Sequence, residues 1–98
     1  MAKITRGVVL RAVEAAYGRW RRFGGSEPVL TVAKIAWRID AGSMERGGRT
    51  ARRVRAAVSG RLLTLRRAGL TESSLDLIGG REVRRWEPAL ANGRRGGK

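Results

Sequence analysis

Apolar residues recur along the first half of this chain at helical spacing, and the pattern changes to short strand-like runs near residue 70. Thr5 is placed to cap a first helix reaching Phe23, which Gly24-Gly25 ends. Val9, Val13, Ala16, Tyr17, Trp20 and Phe23 share one face of it and are expected in the core. Pro28-Val29-Leu30 reads as extended, because a proline biases the residue before it away from helix. Thr31 then caps a second helix, Val32 to Asp40, with Val32, Ile35, Ala36 and Ile39 inward; Trp37 falls off this stripe, either covered by the first helix, the favoured reading, or marking a partner surface. Residues 41–49 read as a glycine-rich connector.

The third helix, from Thr50 to Ala68, carries the strongest signal. Ala51, Val54, Val58, Leu62 and Leu65 line one side, while Arg52, Arg55, Ser59 and Arg66 gather on the other. Gly60 inside it marks either a kink or a close backbone approach. Arg61 falls near the apolar stripe and must snorkel outward. Gly69 suits the left-handed position that closes a helix.

Two short runs, Leu70–Ile78 and Glu82–Glu87, flank Gly79-Gly80-Arg81 and predict a β-hairpin. Its register is open. A two-residue turn puts Leu75, Leu77 and Trp86 on one face, whereas a three-residue turn pairs Leu77 with Val83 and Asp76 with Arg84. The expected class is α+β, mainly α: three helices followed by a hairpin. One domain spans residues 1–90, and 91–98 form a disordered basic tail.

Charge narrows the partners. The 98 residues hold 22 bases against 8 acids, a net charge of +14 spread along the body, which a polyanion would relieve. Arginine dominates the bases; its planar fork suits phosphate oxygens and guanine edges, although a GC-rich genome would produce the same bias. With neither cysteine nor histidine, a zinc–thiolate site and the commonest general base are excluded. The carboxylates show no catalytic pairing, and neither a P-loop nor a dinucleotide fingerprint occurs. The expectation is a non-enzyme that needs no cofactor and no metal. No apolar run is long enough to cross a bilayer and the start lacks a secretory signal, so a cytoplasmic, nucleoid-associated location is expected, with no membrane partner.

The order of elements resembles a winged helix-turn-helix domain over residues 5 to 90. The likeness is sharpest at Leu62-Leu63-Thr64-Leu65-Arg66-Arg67-Ala68-Gly69-Leu70-Thr71, similar to the end of recognition helices in bacterial and archaeal repressors. Thr31-Val32-Ala33-Lys34-Ile35-Ala36 is similar to the start of their second helix, and Gly79-Gly80-Arg81 with Arg84, Arg85 and Trp86 to their wing. The resemblance implies double-stranded DNA as partner, with helix 50–68 in the major groove and hairpin 70–87 as the wing. Arg49, Arg52, Arg53, Arg55 and Ser59 become groove-facing candidates, and Arg81, Arg84 and Arg85 wing contacts. Lys34 and Arg38, one turn apart on the outer side of the second helix, are placed either to touch a phosphate backbone or to stand as a solvated pair of charges. Family habit suggests a transcriptional regulator acting as a homodimer. The alternatives are an architectural protein coating DNA without sequence preference and an RNA-binding, ribosome-associated protein. Against the resemblance stand a connector longer than the usual tight turn and a shortage of the Asn and Gln side chains that read adenine.

Overall fold

The structure, a computed structural model, describes residues 3–89; the tail expected at 91–98 lies outside the described residues. The described chain is α+β and mostly helical: α1 (Arg6–Phe23), α2 (Val32–Ile39), α3 (Ala41–Arg46), α4 (Gly48–Arg67), then strands β1 (Thr71–Ile78) and β2 (Arg81–Pro88). Both threonine caps form. Thr5 Oγ1 accepts from the Val8 N–H and Thr31 Oγ1 from the Lys34 N–H, each at 3.2 Å. Each supplies an acceptor to a first-turn donor that the helix itself cannot satisfy.

The connector expected at 41–49 is largely helical. Asp40 caps α3 twice over, its Oδ1 accepting from the Ser43 N–H and its Oδ2 from the Ser43 hydroxyl at 2.7 Å. Met44 is buried and anchors this single turn and a half to the core. Gly47 and Gly48, at φ of 67° and 59°, then redirect the chain into α4, which starts two residues earlier than its apolar stripe suggests. The expected three helices are therefore four among the described residues.

Val9, Val13, Tyr17, Ile35, Val54, Val58, Leu62 and Trp86 form the centre of one core between α1, α2, α4 and the root of the hairpin. Two aromatic expectations fail. Phe23 is 74% exposed because the last turn of α1 overhangs the elements that cover Tyr17, its ring flanked by the Arg22 guanidinium at 5.9 Å. Trp37 is 45% exposed because Ile35 and Ala36 take the buried side of α2, and α1 does not cover the indole.

The helix α4 ends as its sequence implies. Gly69 stands at φ 80°, with its N–H donating to the Arg66 carbonyl and that of Leu70 reaching back to the Leu65 carbonyl at 2.9 Å. This pair of hydrogen bonds needs a left-handed residue, which glycine adopts without steric cost. The hairpin turns at Gly79-Gly80, pairing Ile78 with Arg81, Leu77 with Glu82, Leu75 with Arg84 and Ser73 with Trp86. The two-residue alternative is thus the one adopted. Its root is tied on both sides: Thr71 Oγ1 donates to the Leu62 carbonyl, and the Trp86 N–H donates to the Leu30 carbonyl at 2.8 Å. Leu30 so adds a one-residue third strand beside β2.

Candidate nucleic-acid interface

The interface candidate builds on the way α4 is held. Ala51, Val54, Val58, Leu62 and Leu65 are buried along its length, as expected from their spacing. That fixes the rotation of the helix and leaves Arg49, Arg52, Arg53 and Arg55 exposed over its first two turns. Ser59, one turn further along, is half-buried. No acidic residue stands in the first turn of α4, and Gly47 offers no side chain to cap it. The first amides of the helix therefore add their partial positive charge to the arginine cluster. Arg46, exposed at the end of α3, lies just before this start. Sequence reasoning misses that extension, because the glycine pair at 47–48 reads as loop rather than as the point where α4 begins.

The remaining candidates divide. Lys34 and Arg38 are exposed on α2, but Arg38 shares a groove with Ala16, Arg19, Trp20, Phe23 and Leu30, grouping it with α1. Arg81 is exposed next to the hairpin turn. Arg84 is exposed too, its guanidinium donating to Ser73 Oγ at 2.9 Å across the strands.

Arg85 departs from the expected wing contact. Its side chain is 16% exposed, and the guanidinium donates to Glu27 Oε2 at 2.8 Å, to Asp76 Oδ2 at 3.2 Å and to the Tyr17 hydroxyl at 3.4 Å. The hydrogen bond with Tyr17 raises the guanidinium pKa above its ordinary value, with Glu27 and Asp76 adding to it against the opposing effect of burial. Burial likewise raises the Tyr17 phenol, partly offset by Arg85. Tyr17 in turn donates to the Pro28 carbonyl at 3.2 Å. Arg85 thus staples the hairpin to α1 and the segment before α2; its fork is already engaged.

Charge is unevenly shared. Residues 3–70 carry sixteen bases and four acids, whereas the hairpin from Thr71 to Pro88 carries three arginines and four carboxylates, a net charge of −1. With Arg85 committed, the hairpin presents little free positive charge. Among the described residues no cluster suited to a metal ion and no helix long and apolar enough to cross a membrane occurs. Comparisons with known protein families, with curated proteins and with solved structures give no match.

Proposed function

We propose that this protein binds double-stranded DNA, with the N-terminal half of α4 entering the major groove. The observation that carries the reading is the four exposed arginines at 49, 52, 53 and 55, set on a helix whose opposite side is locked into the core. An α-helix of this kind fits the groove, and arginine forks make paired bonds to phosphates or to guanine O6 and N7. A winged helix-turn-helix arrangement is compatible with the order of elements, with α2 and α4 flanking the entry and the hairpin following α4. The insertion of α3 where a tight turn is usual sets it apart from the simplest form of that fold.

Regulation at defined sites is the first form of this function. Coating of DNA with little sequence preference is the second, favoured by the absence of any Asn or Gln on α4. Both share one surface. Replacing Arg52 and Arg55 together with alanine should weaken duplex binding by about 1–3 kcal/mol for each arginine–guanine pair removed, with an unchanged melting temperature. Fluorescence anisotropy on labelled duplex measures this, and unaltered affinity would remove α4 from the interface. Titrating random and genomic duplexes at one salt concentration separates the two forms, since a ratio near one excludes site-specific regulation. Stronger competition by structured RNA than by duplex DNA would redirect the whole reading to RNA.

A further inference from the structure

The hairpin carries a net charge of −1 on a strongly basic chain, and its overhanging part exposes large apolar side chains. Leu75 is 57% and Leu77 71% exposed, and both lie on the face that carries buried Trp86 nearer the root. The opposite face is held at mid-strand, where Asp76 and Arg85 are joined and Arg85 reaches Glu27 and Tyr17, and its tip pairs Ile78 with a charged Arg81 rather than presenting two leucines along one strand. So one face is tied to the body at mid-strand, and the other leaves two successive leucines bare.

We propose that this bare face pairs with the same face of a second copy, making a two-fold symmetric dimer. Two observations select that occupant. Two bodies of net charge +12 repel one another, and the hairpin, at −1, is where two copies can approach without that cost. The face is also complementary to itself. Its outer rows are Leu75 with Arg84, then Leu77 with Glu82. A two-fold axis between these rows and across the strands sets Leu75 of one copy against Leu77 of the other, and Arg84 against Glu82. Such a contact is isologous and closes at two copies, so it yields a dimer rather than a filament. DNA is a poorer occupant for this face, because only Arg84 of its four outer side chains suits a phosphate, while Leu75, Leu77 and Glu82 do not.

The proposal stands independently of DNA binding and is tested without nucleic acid, by sedimentation equilibrium of the full chain over the micromolar range. The wild-type chain dimerises. L75D/L77D, or the milder L75S/L77S should the first fail to fold, weakens the dimer by about thirtyfold or more, as removal of central apolar anchors does. Both leucines are exposed in the single copy, so thermal melting at a concentration too low for the wild-type chain to dimerise stays near wild type. E82R and R84E each weaken the dimer, and E82R/R84E restores it. A wild-type chain that stays monomeric, a dimer indifferent to the leucine changes, or single charge variants that the double swap does not rescue would each overturn the arrangement.

Discussion

Arg85 shows how far residue type alone underdetermines role. It sits in a run with Arg84, on a strand whose neighbouring turn displays Arg81, and nothing local distinguishes it from them. What distinguishes it lies far along the chain: Tyr17 and Glu27, brought alongside by the packing of α1 and the segment leading to Leu30. Strand alternation contributes as well, turning Arg84 and Arg85 to opposite faces. Arg85→Ala should therefore cost stability, about 1–3 kcal/mol, the lower part of the range being expected because Glu27 and Asp76 are half in solvent. Duplex affinity should change far less than on replacement of Arg52 and Arg55. Urea unfolding and anisotropy on the same protein separate the two effects, and a large drop in affinity at unchanged stability would make Arg85 a DNA ligand after all.

At the scale of elements, Gly60 inside α4 and Gly69 just past its end carry opposite consequences. A Cβ added at Gly60 meets no atom within 4 Å, so neither a close approach nor crowding explains that glycine. Gly60→Ala should stabilise the fold by about 0.5–1 kcal/mol through helix propensity. Gly69 has open space too, yet it holds φ at 80°, so Gly69→Ala should destabilise by about 1–2 kcal/mol. Thermal melts of the pair, moving in opposite directions, check both. The same contrast explains what is legible in the sequence. The caps at Thr5 and Thr31, the buried stripe of α4 and its glycine stop depend on neighbours within a turn or two, and they can be read directly. The helix α3 cannot, because Gly42 within it and Gly47-Gly48 after it point to loop while its stability comes from the Asp40–Ser43 cap and the burial of Met44. The placements of Phe23 and Trp37 are likewise out of reach. Periodicity says which side of a helix is apolar but not where its cover ends. For the candidate interface, the exposed arginines of α4 follow from the stripe opposite them, whereas the place of Arg38 in a groove with α1 follows from tertiary packing.

For the whole molecule, the uneven distribution of charge predicts two opposite responses to salt. Pairs between arginines and phosphates weaken as counterions return, by about 10³ to 10⁵ between 50 and 200 mM salt if six to ten phosphates are engaged. Self-association through a near-neutral leucine face should instead tighten, since salt screens the repulsion between two basic bodies more than it harms an apolar interface. Measuring duplex affinity and dimerisation over the same salt series tests this, and parallel decline of both would tie the dimer interface to charge rather than to leucine.

The bridge between Leu30 and Trp86 carries a kinetic consequence. It joins positions separated by more than half of the described chain, with α2, α3, α4 and β1 between them, so it closes a far longer loop than the hairpin, which zips up from its own glycine turn. Loop-closure entropy therefore favours the hairpin forming before the bridge, and closing the bridge is expected to shield the Trp86 indole while Trp37 stays open to water. The chain thus carries its own optical marker of that closure: the emission of Trp86 turns blue when the bridge forms.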